Sequence, residues 1–301
     1  MNIGILAVDS NFPNLALMKI SSYHKARGDN VEWYNPLCSY DKVYMAKVFS
    51  FTPDYGYYIN ADQVEKGGTG YDISEIYNCD RMEFLSKFPN KYFDLIIDDP
   101  PYGIGEDGSK NSSRSKIAMA KSYAAYSGND KEAPPEEYFK ELIRVSKNQI
   151  IWGANHFISR VPIDSHCWIV WDKDNGANDF ADCELAWTSF QTAVRKFKYR
   201  WNGMLQENMK NKEVRIHPNQ KPIALYGWLL NNYAKPGFKI GSPHMGSQSD
   251  RIAAYKLGFD FWGCDKDEYY FNTGDERFRS ECFGETRTSK GVLIQPSLFG
   301  V

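Results

Sequence analysis

Residues 92–103 read YFDLIIDDPPYG, an apolar run followed by two carboxylates, two prolines, a tyrosine and a glycine. The continuous apolar run 95–97 is typical of a strand that is buried on both faces inside a parallel sheet. Because proline donates no hydrogen bond to a β-ladder, we expect the strand to end before Pro100. Asp99 and Tyr102 are therefore predicted at the carboxyl end of this strand, where open α/β sheets bind their ligands.

The predicted strand end suits the methylation of an exocyclic amine, whose lone pair is delocalised into its ring and reacts poorly. Two acceptors that bind both N–H groups would direct this lone pair at an incoming methyl group. Asp99 offers a carboxylate and Pro100 a carbonyl outside any ladder, while Tyr102 could stack on a base rotated out of a duplex. The alternative is a plain strand and proline turn in which Asp99 only caps, and this stretch alone does not separate the two.

The tetrapeptide Asp99-Pro100-Pro101-Tyr102 resembles the catalytic motif of the S-adenosylmethionine-dependent amino-methyltransferases of DNA. In this family an aspartate at the first position is typical of adenine-N6 enzymes, whereas cytosine-N4 enzymes more often carry serine. The resemblance implies that these four residues are catalytic. It also implies that S-adenosylmethionine is the cofactor and that DNA is the substrate.

The composition, with 42% apolar and 25% charged residues, is ordinary for a soluble globular protein. The sequence contains no apolar run of membrane-spanning length and no signal peptide, so no membrane contact is expected. Its six cysteines lie far apart and form no C-x-x-C pair. This spacing argues against a zinc site or a disulfide framework, predicts no metal, and favours a reducing cytoplasm.

Residues 1–75 are predicted to form a separate accessory α/β unit with a β-α-β start. The opening weakly resembles the first half of the cobalamin-binding-type domains that precede some radical enzymes. The cobalamin motif is absent, because Ser-Asn-Phe follows Asp9, and so is the cysteine signature of an iron–sulfur cluster. The ligand of this unit therefore stays open. The glycine-rich residues 67–70 are interpreted as a linker, with a turn that binds phosphate as the alternative.

Residues 76–301 carry the resemblance to the methyltransferases and predict a three-layer α/β fold with a Rossmann-like sheet. In the family's circular order, target recognition lies between the catalytic and cofactor motifs, which implies this role for a segment of about 106–215. The polar residues 103–129 favour a lid or a DNA-contacting loop, or plain disorder. Residues 195–221 hold eight basic against two acidic residues, which suits phosphate contacts or a solvated charged face.

Two further stretches resemble cofactor motifs of the family. Residues 217–222, HPNQKP, resemble the motif that lines the methionine end of the cofactor, which implies roles for His217, Gln220 and Lys221. Lys221 could pair with the cofactor carboxylate, or it could simply start a helix in solvent. Asp80 precedes a helical segment where the family accepts a hydrogen bond from the adenine amine, but a helix N-cap explains it equally well.

A predicted strand–turn–helix–strand unit covers residues 238–264 and ends at Asp265, 19 positions after Gly246. This spacing matches nucleotide-binding units in which a carboxylate at the end of the second strand binds the ribose hydroxyls. Asp265 is therefore the strongest cofactor candidate; Asp267 is its rival, and a cap of the last helix is the alternative. The resemblance adds His244, Gly246 and Ser247 to the cofactor site.

The turn also departs from the family pattern. Ser242 stands where the family has an aspartate, and Gln248 stands where it has its last glycine. A glycine there leaves room for the ligand to approach the backbone closely. Asp250 adds a negative charge at a helix start, which otherwise favours anions. These departures predict weakened cofactor binding or a degenerate site.

Together, these observations predict in-line transfer of a methyl group to adenine N6, driven by positioning and electrostatics. Double-stranded DNA is the expected partner, while a homodimer and a restriction partner are left open. One alternative is a cytosine-N4 enzyme. Another is a DNA-binding protein that kept the fold and lost turnover, and a weaker one is a small-molecule sensor that uses the N-terminal unit.

Overall fold

The computed structural model describes residues 1–10, 14–48, 55, 57–67, 74–105, 130–161, 163–176, 181–202, 205–288 and 291–294. Most of the linker interpreted at 67–70 and of the loop at 103–129 lies outside these residues. The chain divides into two compact units. The first comprises Met1–Ile73, Cys282–Gly284 and Ile294–Val301, and the second comprises Ser74–Glu281 and Glu285–Leu293. Within the described residues, no helix has both the length and the apolar character needed to cross a membrane.

The first unit contains a four-stranded sheet in the order β2-β1-β3-β4, and all of its neighbouring strands are parallel. Its elements are β1 (Asn2–Ala7), α1 (Leu15–Ala26), β2 (Asn30–Trp33), β3 (Tyr40–Ala46) and β4 (Ala61–Gly67). Helix α1 begins where Asn14 accepts hydrogen bonds from the backbone of Ala16 and Leu17. The predicted β-α-β start is confirmed.

The second unit holds the remaining strands and helices. Its strands are β5 (Ser74–Tyr77), β6 (Phe93–Asp98), β7 (Ser146–Trp152), β8 (Trp168–Asp172), β9 (Cys183–Thr188), β10 (Arg195–Lys198), β11 (Trp201–Asn202), β12 (Leu205–Gln206), β13 (Lys239–Ser242), β14 (Asp260–Cys264), β15 (Glu285–Thr288) and β16 (Gly291–Ile294). Its α-helices are α2 (Arg81–Ser86), α3 (Glu136–Val145), α4 (Ile223–Tyr233), α5 (Ser249–Leu257) and α6 (Glu268–Phe283). Two short 3-10 helices, Ala154–His156 and Ile158–Arg160, follow β7.

Eight of these strands form one central sheet in the order β10-β8-β9-β7-β6-β13-β14-β5. Its neighbours are parallel except around β9, which is antiparallel to both β7 and β8. Helices cover both faces of this sheet. The three-layer Rossmann-like α/β fold expected from the sequence, with a small N-terminal α/β unit, is confirmed.

Strand β6 lies in the middle of the sheet and is buried on both faces, as its apolar run predicts. Leu95 and Ile97 pack into the core beneath α4 and α5, and Ile96 packs into the opposite core beneath α2 and α3. All three side chains are at most 2% exposed. Burial of one such side chain stabilises the fold by about 1.5–3 kcal/mol, so the core fixes the position of this strand.

The pairing of β6 with β13 brings the predicted catalytic and cofactor strands side by side. Ile240 lies opposite Leu95 and Gly241 opposite Ile96, with the two strands parallel. From β6 the chain proceeds through α3 to β7 on one side, and from β13 through α5 to β14 on the other. The crevice between the carboxyl ends of β6 and β13 is thus the switch point of the sheet, where open α/β folds bind ligands.

Four strands of the central sheet, β7 to β10, come from the segment 106–215 to which we assigned target recognition. Much of this segment is therefore part of the scaffold. A contact between the rest of it and DNA stays a prediction, and residues 106–129 lie outside the described residues.

Candidate active site

Asp99 lies one residue beyond β6, and one of its carboxylate oxygens is held by two neighbours. The Tyr102 hydroxyl donates to Oδ1 over 2.9 Å, and the Lys221 ammonium donates to the same oxygen over 2.6 Å. The other oxygen, Oδ2, has no hydrogen-bond partner within the described residues. One oxygen is therefore anchored, and the other is an open acceptor.

Lys221 is the centre of this cluster. Besides Asp99, its Nζ donates to the Tyr102 hydroxyl over 3.0 Å and contacts Glu184 Oε2 at 3.1 Å. A lysine ammonium has three donors and no acceptor, so these three partners use all of them. Lys173 forms a second ion pair with Glu184. We refer to Asp99, Tyr102, Lys173, Glu184 and Lys221 as the Asp99 cluster.

The pKa values in the Asp99 cluster follow from burial and from the two lysines. Burial raises the pKa of Asp99, and Lys221 opposes this effect. Burial also disfavours the ionised form of Glu184, yet Lys221 and Lys173 outweigh it and lower the pKa of Glu184 to about 2. Burial and the neighbouring carboxylates raise the pKa of Tyr102 far above its ordinary value. Tyr102 is thus a neutral phenol that donates to Asp99.

A second polar network ties β6 to the turn after β13. His244 Nδ1 lies 2.7 Å from Oδ1 of the fully buried Asp98, and the Tyr138 hydroxyl donates to Asp98 Oδ2 over 2.7 Å. Arg81 lies 3.2 Å from His244 Nε2. Since a guanidinium only donates, Nε2 must accept, and the ring proton lies on Nδ1 and is donated to Asp98. This network positions the turn beside the Asp99 strand.

Gly246 and Asp265 meet as their 19-residue spacing predicts. The Gly246 N–H donates to Asp265 Oδ2 over 2.9 Å, and the Asp267 N–H donates to Asp265 Oδ1 over 2.9 Å. Gly246 has a φ of 48°, and a Cβ there would meet no atom within 4 Å, so the turn borders open space. A carboxylate accepts about four hydrogen bonds, which leaves Asp265 capacity for a ligand.

Gln248 does not crowd this turn. Its φ of 56° is the left-handed backbone that glycine favours, at a cost of about 1–2 kcal/mol for other residues. Its side chain extends toward α6, where Nε2 donates to the Phe271 carbonyl over 3.0 Å and Oε1 accepts from Arg251 over 2.9 Å. A Cβ on Gly274 would lie 2.8 Å from Gln248 Cγ. The absence of a side chain at Gly274 therefore gives Gln248 its space.

Part of the chain is similar in sequence to known proteins. A sequence profile of the DNA methylase family matches residues 146–276. The Type II methyltransferase M2.DpnII of Streptococcus pneumoniae is 25% identical over 242 residues, covering 68% of this chain and 89% of the relative. The Type II methyltransferase M.HinfI of Haemophilus influenzae is 22% identical over 255 residues, covering 69% of this chain and 68% of the relative.

Solved structures similar to this chain include M1.HpyAVI in complex with SAM. That likeness has a TM-score of 0.43 at 22% identity and covers 68% of this chain and 99% of the other. The cytosine-N4-specific PvuII DNA methyltransferase has a TM-score of 0.45 at 12% identity, over 68% of this chain and 86% of the other.

The profile match and the two relatives confirm the resemblance to DNA methyltransferases. Over the matched residues the chain is similar to DNA methyltransferases. The residues at the Gly246 turn fit S-adenosylmethionine, the cofactor that this resemblance implies. Gly246 leaves space beside the backbone, Asp265 keeps acceptor capacity for ribose hydroxyls, and Asp250 adds a buried carboxylate nearby. Negative groups suit the positively charged methionine end, and the bound cofactor supplies an electrophilic methyl group.

The structure brings only some of the predicted cofactor residues to the turn. His244, Gly246 and Ser247 lie in the turn and Asp265 binds it, and the Ser247 hydroxyl is 3.2 Å from that of Ser249. Asp80 is the N-cap of α2 and accepts from the Met82 N–H over 2.8 Å. The N-cap that we gave as the alternative role of Asp80 is therefore confirmed, and its role toward adenine stays a prediction.

The 217–222 motif is mostly occupied within its own loop. Gln220 accepts from the Ile216 N–H over 2.9 Å and donates to the Val214 carbonyl over 3.2 Å. His217 accepts from the Asn219 N–H over 3.1 Å, and burial lowers its pKa to about 3. Lys221 reaches Asp99 with all of its donors engaged, which favours a role beside the target amine over one at the cofactor carboxylate.

Glu184 and Lys173 were not among the site residues predicted from the sequence. Glu184 lies on β9, a strand of the central sheet, and Lys173 directly follows β8. The sequence feature that could have identified Glu184 is that it is the only charged residue in the strand sequence CELAWT. A charged residue in a buried strand usually has a charged partner, and such buried pairs are candidates for functional sites.

The basic segment 195–221 carries less free charge than its composition suggests. Lys196 pairs with Asp172 at 3.3 Å, Lys198 and Arg200 pair with Asp174 at 2.9 and 2.6 Å, and Lys221 belongs to the Asp99 cluster. Exposed pairs of this kind exchange readily with other anions, because each contributes about 0–1 kcal/mol. Phosphate contacts by this segment stay a prediction.

Tyr102 lies against Gly153, which follows β7 with a φ of 67°. A Cβ at Gly153 would lie 2.1 Å from Tyr102 Cε1, and the Tyr102 ring stacks on His156 with centroids 5.4 Å apart. We expect Gly153→Ala to displace Tyr102 from Asp99, because both the backbone and the ring oppose a methyl group there. The predicted cost is about 2–4 kcal/mol of unfolding free energy, measured by urea denaturation, with a loss of methyl transfer.

Gly258→Ala is the matched control for this prediction. Gly258 also has a positive φ, 74°, but a Cβ there would meet no atom within 4 Å. It should show only the backbone cost of about 1–2 kcal/mol and keep its activity. Equal losses of stability and activity in both variants would contradict the role of Gly153. The predicted stacking of Tyr102 on a target base stays a prediction.

Proposed function

We propose that this methylase transfers a methyl group from S-adenosylmethionine to the N6 amine of adenine in double-stranded DNA. The observation that carries the proposal is the open Oδ2 of Asp99 at the carboxyl end of β6, beside the Gly246 turn of the neighbouring β13. The Pro100 carbonyl accepts no hydrogen bond from the described part of the chain. Two open acceptors thus lie together at the ligand-binding edge of the sheet.

These two acceptors would hold the target amine by its two N–H groups. Asp99 Oδ2 would accept one, and the Pro100 carbonyl would accept the other. With both hydrogens held, the nitrogen lone pair is drawn out of conjugation and can be aimed at the methyl carbon. Lys221 and Tyr102 fix Oδ1, so the carboxylate cannot turn away from the amine. Such positioning lowers the barrier without a covalent enzyme intermediate.

Methyl transfer requires that one amine proton leave. The nitrogen lone pair forms the new N–C bond, the bond from the methyl carbon to sulfur breaks, and sulfur keeps that electron pair. The nitrogen is then positively charged, and Asp99 is the base placed to stabilise this charge and accept a proton. Burial raises the pKa of Asp99, which makes it a better proton acceptor than an exposed aspartate.

The adenine preference is supported by the aspartate at the first motif position and not by the fold, since cytosine also presents an exocyclic amine. A DNA-binding protein without turnover is the other candidate. The placement of Gln248 away from the turn argues against loss of the cofactor site. Both relatives named above are Type II methyltransferases, which supports a restriction partner as part of the proposal. A homodimer and a cytoplasmic location stay predictions.

The proposal is tested by incubating the protein with unmethylated amplified genomic DNA and methyl-labelled S-adenosylmethionine. The DNA is then digested to nucleosides, which are identified by mass spectrometry. We expect label in N6-methyl-2′-deoxyadenosine. Label in N4-methyl-2′-deoxycytidine would assign the cytosine alternative. No label in either, together with no cofactor binding by calorimetry, would support the DNA-binding alternative.

A further inference from the structure

Asp250, the second residue of α5, is a buried carboxylate without a cationic partner. It is 4% exposed, and it accepts hydrogen bonds from the Arg251 N–H over 2.8 Å and from the Ser242 hydroxyl. No basic side chain of the described residues forms an ion pair with it, although its neighbour Arg251 pairs with Asp275. A buried charge without a counter-ion is costly and therefore points to a ligand.

The surroundings of Asp250 are acidic. The negative charge of Asp99 raises the pKa of Asp250. The charge of Asp250 in turn contributes to the raised pKa of the Tyr226 phenol on α4. Burial, together with the smaller effect of Asp99, raises the pKa of Asp250 to about 7, against the hydrogen bonds from Ser242 and Arg251. At neutral pH the free protein thus holds this carboxyl about half protonated. A cationic ligand would favour its ionised form.

Asp250 also supplies a carboxylate where the family motif has one. Ser242 occupies the aspartate position of the motif at the end of β13, and its hydroxyl binds Asp250. The carboxylate therefore reaches the end of β13 from the following helix. Two of the three departures that suggested a degenerate turn, Ser242 and Asp250, form one hydrogen-bonded pair in the folded chain.

We propose that Asp250, held by Ser242, binds the α-ammonium group at the methionine end of S-adenosylmethionine. This inference rests on the proposed function, because it requires that cofactor. The ammonium is preferred to the sulfonium because it has three N–H donors, whereas a sulfonium has none. The sulfonium must moreover direct its methyl group at the amine held by Asp99.

Cofactor binding should then be coupled to proton release. Because the free Asp250 has a pKa of about 7 and the ammonium favours its ionised form, binding tightens as pH rises. Affinity should increase about tenfold between pH 6 and pH 8 and level off above that. At pH 7, binding should release about half a proton.

Titration calorimetry of the full chain measures this release directly. S-adenosylhomocysteine, which keeps the ammonium and lacks the sulfonium charge, is titrated at pH 7 in two buffers with different ionisation enthalpies. We expect a difference in heat that corresponds to about half a proton. With 5′-methylthioadenosine, which lacks the amino-acid end, we expect no release.

The Asp250→Asn variant should bind S-adenosylhomocysteine without proton release and without the pH dependence. Its affinity for 5′-methylthioadenosine should equal that of the wild type. Its folding is checked by the melting temperature, which should exceed that of the wild type at pH 8. The raised pKa of Asp250 means that the wild type loses stability as pH rises through about 7. The double change Ser242→Asp with Asp250→Ser returns the carboxylate to the strand and should restore ammonium-dependent affinity.

The outcomes separate this inference from the proposed function. Unchanged proton release in Asp250→Asn, or equal release with 5′-methylthioadenosine, overturns the role of Asp250 while the function stands. Release with S-adenosylmethionine but not with S-adenosylhomocysteine assigns Asp250 to the sulfonium and overturns the inference. No binding of any of these ligands by the wild type overturns the proposed function together with it.

Discussion

Replacement of Asp99 by Asn is expected to lower the rate of methyl transfer by about 10²–10⁴-fold while leaving cofactor binding within a few fold. The amide keeps the size of the side chain and one acceptor atom, but it carries no charge and no basic oxygen. It cannot stabilise the positive nitrogen that forms during transfer or take its proton. The rate is measured in single-turnover experiments with labelled cofactor, and cofactor binding is measured by calorimetry.

Asp94→Asn is the matched control for this change. Asp94 lies on the same strand, β6, but near its start, where it binds Lys147 and the Lys239 N–H. This variant should keep the wild-type rate. An Asp99→Asn rate within threefold of the Asp94→Asn rate would exclude Asp99 as the acceptor of the target amine.

Lys221→Met is expected to reduce both stability and activity. Removing the ammonium leaves Asp99 and Glu184 facing each other, with Lys173 as the remaining cation of the cluster. Loss of one partner of a buried ion pair costs about 3–5 kcal/mol of unfolding free energy. We expect the lower end of this range, because Asp99 and Glu184 keep 18% and 21% exposure. Urea denaturation measures the loss.

The pH dependence of methyl transfer gives Lys221 a second readout. Asp99 must be ionised to accept the amine, so the wild-type rate should fall as pH falls through its raised pKa. Lys221 lowers that pKa, and its removal should therefore move the acid limb of the rate profile to higher pH. Lys147→Met, which removes a half-exposed lysine paired with Asp94, is the control and should not move it.

Glu184→Gln tests the cluster if Lys221→Met does not fold. The amide oxygen can still accept from Lys221, but the negative charge is lost. Lys221 then serves Asp99 alone, which lowers the pKa of Asp99 and moves the acid limb to lower pH. An acid limb that is the same in both variants and the wild type would show that Lys221 and Glu184 do not act on Asp99.

Some of the site could be predicted from the sequence, because those parts depend on residues that are close together in the chain. The run 95–97 predicts a strand buried on both faces, and the two prolines predict its end. The contact between Gly246 and Asp265 follows from the length of one strand–turn–helix–strand unit, whose geometry depends on its own residues. Short-range pattern also predicted the layers of the fold, since helical and strand periodicities alternate along the chain.

Other parts of the site were decided only when distant segments packed together. Lys221 is 122 residues from Asp99, and Glu184 is 82 residues from Tyr102, so no local pattern could show that their side chains converge. Likewise, the Gln248 side chain does not obstruct the turn, because the distant Gly274 leaves room for it. Asp250 takes the place of the strand aspartate, because its carboxylate binds Ser242.

The sequence by itself determined the strand, the motif and the cofactor unit of this protein, because each depends on residues close together in the chain. The tertiary structure alone decided which oxygen of Asp99 is anchored and which is open, and whether an atypical turn is obstructed. The physical reason is that side-chain direction and burial depend on neighbours brought in by packing, and these neighbours also set the pKa values on which the chemistry depends.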